Sequence, residues 1–286
     1  IEPPLVCIIS SIAIDHVNYL GTDEISIARQ KAGIVKKGSV CVCPVMEKKI
    51  MEVLKSEAEQ RGGKIFFTEN LFSVKKCDWE KGFMIFLRNE KECVYNALGD
   101  YQSLNASCVV SGLEILRKNG FNRLDEEVVR KGFASVNLPA RLQVIKKGGR
   151  NFIIDGLHNL AAARTFASNF KKSPFFGRDC RFVCAILSDK DYISMLKVFA
   201  ELTNKFCFTK VSSPRALSPW NLADAMAKIN PDADIEVNED VESVLSSFSF
   251  EETMVIVGSF YLAGEAIKLL NEEKIFLRGF NDSNRS

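Results

Sequence analysis

The 286-residue sequence predicts an α/β protein built from two parallel-sheet domains, and three observations carry that reading. Short apolar, β-branched runs alternate with longer amphipathic stretches, which is the pattern of a sheet whose parallel strands are joined by helices. The alternation is interrupted by two strands flanking a polar turn, and it resumes after a break at Asn137, Leu138 and Pro139. The length is enough for about two cores, so the domains are set at 1–137 and 138–286.

In the first domain, Leu5 to Ile12 is an apolar run of the kind that fills a strand buried on both faces. Thr22 or Asp23 can cap a helix that carries Ile25, Ala28 and Lys31 and stops at Gly33. Val40 to Cys43 reads as a strand, Glu47 to Arg61 as a helix closed by Gly62 and Gly63, and Ile65 to Thr68 as a strand. Phe83 to Ala97 reads as a hairpin turning at Arg88 to Lys91. Gly99 to Asn105 leads into a helix through Leu116, and Asp125 caps another to about Ser135.

The second domain opens with Arg141 at a hinge, a two-stranded turn through Gly148 and Gly149, and a buried strand from Asn151 to Ile154. Helices are then expected at 160–173, 192–203, 219–229 and 241–248, alternating with strands at 182–186, 205–209, 235–237 and 254–257. A last helix follows Gly258, and the end from Arg278 to Ser286 is polar enough to fray.

Composition excludes several classes. Lys and Arg total 38 against 36 for Asp and Glu, with no basic patch interleaved with aromatics, so no nucleic-acid partner is expected. No apolar run approaches the roughly 20 residues that span a bilayer, so no membrane partner is expected and the cytoplasm is the default location. The nine cysteines form no CxxC pair and read as small buried hydrophobes in a reducing compartment. The chain begins at Ile1 without a methionine and runs at once into a strand, which suggests a fragment whose natural beginning lies upstream.

Both histidines follow the end of a buried strand: Asp15 and His16 after the first, Asp155 and His158 after the strand ending at Ile154. Ligands in open α/β sheets bind in the crevice beyond the carboxyl ends of the strands, so both pairs are candidates to face one site. The plainer alternatives are that Asn159 caps the next helix, that Asp155 bonds the turn, and that either histidine is satisfied within the core. Lys31 near a helix C-terminus can likewise act by favouring the helix dipole.

The runs SSIAIDHVNYLG, IARQKAGIVKKG, GDYQSLNA, LPARLQVI, DGLHNLAAA, SSPRALSP and VGSFYLAGE occur in this order along nearly the whole chain. Together they resemble the folylpolyglutamate synthase and dihydrofolate synthase family, a branch of the ATP-dependent Mur ligases. The resemblance implies the remainder of a Mur-ligase central ATPase domain followed by a Rossmann-like C-terminal domain. It implies an ATP-dependent amide ligase that adds L-glutamate to dihydropteroate or a folate through an acyl phosphate, with ATP and magnesium as cofactors and a monomeric state.

Carried over motif by motif, the magnesium-binding histidine falls on His16, the carbamylated lysine on Lys31, and nucleotide contacts on Asn105, Arg141 and Asp155. His158, Ser259 and Tyr261 match positions near the incoming glutamate, so Lys31 and His158 are the expected catalytic pair. The sequence departs from the family pattern at Asp100, Tyr101, Ala140, Leu157 and Leu160, and it contains no Gly-Lys-Ser or Gly-Lys-Thr phosphate loop. Without that loop the 286 residues are expected to have little ligase activity by themselves. A cell-wall Mur ligase and a non-catalytic remnant of the folate ligase stand as the alternatives.

Overall fold

The computed structural model describes residues 3–14, 23–247 and 253–272. Asp15, His16, Thr22, Phe248 and the polar end from Arg278 lie outside the described residues. The chain divides into two compact units, one of residues 1–78 with 83–137, the other of 79–82 with 138–286.

In the first unit, β1 (Val6–Ile8), β2 (Val40–Pro44) and β3 (Lys64–Thr68) form a parallel sheet in the order β1-β2-β3. Helix α1 (Glu24–Ala32) starts where the Asp23 carboxylate accepts the Ser26 N–H at 2.9 Å, and α2 (Lys48–Gln60) buries Ile50, Leu54 and Ala58 at helical spacing. β1 is shorter than expected and is not buried on both faces, since Leu5 is 58% and Ile8 39% exposed. Among the described residues its strand neighbour is β2.

The expected hairpin is β5 (Phe83–Arg88) with β6 (Lys91–Tyr95), and its tight turn places Asn89 and Glu90 at φ 48° and 63°. Both residues are left-handed, as a two-residue hairpin turn of the primed type requires. A third strand that sequence reasoning missed, β4 (Ser73–Asp78), pairs antiparallel with β5. Its sequence, SVKKCD, carries too little apolar alternation to announce a strand. Helix α3 (Tyr101–Lys118) lies close on β1, with Gly112 leaving room for Val6, and α4 (Glu126–Ser135) is capped by Asp125, whose carboxylate accepts the Val128 N–H.

The second unit is a six-stranded sheet: β7 (Gln143–Lys147), β8 (Arg150–Ile154), β9 (Cys180–Cys184), β10 (Lys205–Phe208), β11 (Asp234–Val237) and β12 (Thr253–Val257). Its order is β11-β10-β9-β12-β8-β7, and every pairing is parallel except β7 with β8. The connecting helices are α5 (Leu160–Phe170), α6 (Tyr192–Ala200), α7 (Pro219–Ile229), α8 (Val241–Ser246) and α9 (Phe260–Asn271). β12 is buried along its whole length because β8 and β9 flank it, and it places the segment after Val257 beside the segment after Ile154. One side of the core is aromatic: Phe182 meets Phe166, Phe170, Phe199 and Phe206 at centroid distances between 5.7 and 6.3 Å.

Candidate active site

The candidate site of the second unit forms where β8 and β12 end. The Asp155 N–H bonds the Ile256 carbonyl at 3.0 Å, continuing the sheet by one residue and locking the two strand ends together. Asp155 is 5% exposed, and both carboxylate oxygens accept backbone amides: Leu142 N–H at 2.9 Å and Leu157 N–H at 2.9 Å. Burial raises this carboxyl from its ordinary 3.8 to about 6, with the two amides, the Arg141 charge and His158 pulling the other way.

The Leu142 amide belongs to a strained turn. Ala140 and Leu142 have φ of 57° and 44°, the left-handed region that costs an L-residue roughly 1–2 kcal/mol. Three bonds hold it: Asp155 takes the Leu142 N–H, the Gln143 side-chain oxygen takes the Ala140 N–H at 3.0 Å, and the Ala140 carbonyl accepts the Gly156 N–H at 2.8 Å. Arg141 sits between the two left-handed residues with its backbone direction fixed while its side chain stays exposed. Its guanidinium lies 4.8 Å from the centre of the Phe260 ring.

His158 keeps one ring nitrogen, Nδ1, 3.1 Å from the Gly156 carbonyl, and its ring centre is 5.5 Å from that of Phe260. Asn159 caps α5 by accepting the Ala162 N–H at 2.8 Å, as the plainer reading of the sequence has it. Ser259 is only 1% exposed and caps α9 through the Leu262 N–H at 3.2 Å, whereas Tyr261, the second residue of that helix, is exposed. The N-termini of α5 and α9 therefore bring two partial positive charges to the same edge of the sheet. Phe260 and Gly156, which sequence reasoning passed over, complete this region: a Cβ at Gly156 would fall 2.3 Å from the Phe260 ring. An aromatic residue directly after Gly258 and Ser259 at a strand end was the signal available for Phe260.

Beside this edge, the loop containing SSPRALSP folds onto the segment after β9. The Ser188 N–H donates to the Arg215 carbonyl at 2.8 Å, Leu217 N–H to Ile186 at 3.1 Å, and Leu187 pairs with Ala216. Lys190 in that segment is a buried cation, its side chain 8% exposed and 3.7 Å from Asp189, and it too was passed over in the sequence.

The structure thus brings Arg141, Asp155, His158, Ser259 and Tyr261 together at one sheet edge. Lys31 and Asn105 lie in the first unit. Lys31 is in the last turn of α1, donating from Nζ to the Ser11 carbonyl at 2.9 Å, and Asn105 in α3 donates to the Gln102 side-chain oxygen at 3.0 Å. Among the described residues no group of three or more His, Cys, Asp or Glu side chains could hold a metal ion. No described helix is long and apolar enough to cross a membrane.

Residues 139–269 match the family model of the dihydrofolate synthetase C-terminal domain. The chain is 26% identical over 279 residues to the dihydrofolate synthase/folylpolyglutamate synthase of Bacillus subtilis, covering 93% of this chain and 63% of that protein. It is 31% identical over 243 residues to the corresponding Mycobacterium tuberculosis protein, covering 79% of this chain and 49% of that one. The folylpolyglutamate synthase of M. tuberculosis complexed with ADP and AMPPCP has the same fold, with a TM-score of 0.78 and 28% identity over 94% of this chain and 64% of its own. The Thermotoga maritima folylpolyglutamate synthase shares the fold at a TM-score of 0.74 and 23% identity. The chain spans between 49% and 64% of the length of these M. tuberculosis relatives. The α/β fold expected from the sequence, and its resemblance to the folate ligases, are borne out.

Proposed function

We infer that this chain belongs to the folylpolyglutamate synthase/dihydrofolate synthase family, and we propose that its site serves ATP-dependent ligation of L-glutamate to dihydropteroate or a folate. In that reaction the acceptor carboxylate takes the γ-phosphoryl group of ATP, ADP departs, and the glutamate amine attacks the acyl phosphate to form the amide and release phosphate. The observation that carries this reading is the gathering of Arg141, Asp155 and His158 at the shared end of β8 and β12, on a stretch that matches the family's C-terminal domain.

Arg141 is suited to the phosphates, because a guanidinium offers paired donors and a permanent charge where negative charge shifts during phosphoryl transfer. Asp155 serves it at one remove, by latching the turn that aims it, and the nucleotide contact carried over from the family would use the carboxylate's remaining acceptor capacity. His158, Ser259 and Tyr261 are assigned to glutamate, with the α9 N-terminus favouring one of its carboxylates. Asn105 is assigned to the nucleotide from the first unit.

Magnesium is assigned to His16 with a carbamate on Lys31, whose N–H could keep donating to the Ser11 carbonyl. A bound magnesium ion would supply charge neutralisation at the phosphates. The described residues do not by themselves form such a site.

The test is acceptor- and glutamate-dependent ATP turnover by the full-length protein. Arg141→Ala should lower turnover by about 10²- to 10³-fold, as loss of a group stabilising transferring charge does elsewhere. Unchanged turnover per folded molecule would overturn the assignment.

A further inference from the structure

Phe260 occupies a position that core packing does not explain. It is the first residue of α9 and is 43% exposed, while the core of that helix is made by Leu262, Ala263, Ala266 and Leu270. Three segments distant in sequence nevertheless converge on its ring. The strained turn at 140–142 sets the Arg141 guanidinium 4.8 Å from the ring centre. The turn after β8 sets the His158 ring 5.5 Å away, tilted by 49°. Gly156 brings bare backbone so close that an added Cβ would overlap the ring at 2.3 Å.

A guanidinium over an aromatic face is held by the ring quadrupole, and a flat ring restricts it to a plane. Among the described residues Arg141 makes no ion pair within 4.0 Å, so the ring is the contact that orients its exposed side chain.

We propose that Phe260 is a positioning residue: its ring is the common rest for Arg141 and His158, and it fixes the spacing between the phosphate-facing cation and the glutamate-facing imidazole. The inference rests on the function proposed above for those two residues. Phe260 touches no reacting atom, so its effect passes through them. Fixed spacing matters because the acyl phosphate and the attacking amine must meet within a near-attack distance, and a misplacement of about 1 Å can cost as much as 10²-fold in rate.

The experiment compares Phe260→Leu, Phe260→Tyr and Gly156→Ala in the full-length protein. Leucine keeps the apolar bulk without the π face, tyrosine keeps the face, and alanine at 156 displaces the ring without deleting it. Phe260→Leu should lower kcat by about tenfold or more at a nearly unchanged Tm. It should weaken ADP binding by roughly two- to fivefold, the range for losing an exposed cation–π contact. Phe260→Tyr should restore both, and Gly156→Ala should resemble Phe260→Leu in kcat.

Carbon-edited NMR of the His158 imidazole gives a readout that loss of fold alone does not mimic. Its ring-current shift should vanish in Phe260→Leu and persist in Phe260→Tyr. If Arg141→Ala impairs turnover while Phe260→Leu has wild-type kcat and ADP affinity, the platform role is overturned and the functional reading stands. If Arg141→Ala and His158→Ala are both silent, the functional reading fails and the platform role falls with it.

Discussion

Asp155 carries the strongest single-residue argument, because its carboxylate is buried and each of its oxygens accepts a backbone amide, Leu142 at one and Leu157 at the other. Removing it by Asp155→Ala orphans two buried donors, each worth about 1–3 kcal/mol, so a loss of roughly 2–6 kcal/mol in urea unfolding is expected. Its pH dependence has a definite sign. The native carboxyl titrates near 6 and the unfolded one near 3.8, so between about pH 4 and pH 6 the native state holds a proton that the unfolded chain has released. This contribution to stability is therefore present below that window and is lost as pH rises through it, by roughly 3 kcal/mol in all. The stability of wild type minus that of Asp155→Asn should accordingly be more positive at about pH 4 than at about pH 7. A difference that stays constant, or grows towards pH 7, would show that burial does not dominate the carboxyl. The sequence could place Asp155 at a strand end, but it could not show which amides the carboxylate would meet. Leu142 is 13 residues away, and its left-handed turn leaves no glycine as a marker. Ala140→Gly should be nearly neutral, within about 1 kcal/mol, since relief of left-handed strain offsets the added freedom of the unfolded chain.

Among the elements, β12 with the start of α9 was the most legible and is the most exposed to test. A continuous apolar run before Gly258 signals a strand buried on both faces, and the structure buries all five residues Thr253–Val257. β4 was missed for the opposite reason, because an edge strand is settled by which neighbour lies beside it and not by its own pattern. At the strand-to-helix turn, Gly258 has φ 111° and an added Cβ would come within 2.8 Å of the Ala185 carbonyl, a backbone atom. Gly258→Ala is therefore expected to cost at least about 2 kcal/mol, from strain and overlap together. Ser259→Ala should cost about 1 kcal/mol through the lost α9 cap. If Ser259 also serves glutamate, its variant raises KM for glutamate in the folded fraction. A KM equal to wild type with lowered stability would leave the hydroxyl as a cap alone.

At the scale of the whole molecule, the nine thiols report on two separate cores. Alternating apolar runs made the two units readable; the compact units change between Asn137 and Leu138, and the assignment of residues 79–82 to the second unit depends on tertiary packing such as Trp79 against Phe175. All nine cysteines are free; eight are buried and Cys77, on β4, is half-buried. Burial pushes the Cys77 thiol up to about 11 and that of Cys207 up to about 12, so even the more accessible sulfur holds little nucleophilic thiolate at neutral pH. A thiol reagent at pH 7.5 should therefore modify the native protein slowly and at Cys77 first. Cys7, Cys41 and Cys43 share one core cluster with residues of α1 and α2, so they can become reactive only when that cluster opens. Cys180, Cys184 and Cys207 belong to the sheet of the second unit and should form a set of their own. Pulsed alkylation across a urea series, read by peptide mass spectrometry, should give one midpoint for the first set and one for the second, whether or not the two midpoints agree. Scattered midpoints within either set would contradict a single cooperative core in that unit, and rapid native labelling of Cys41 or Cys207 would contradict their burial.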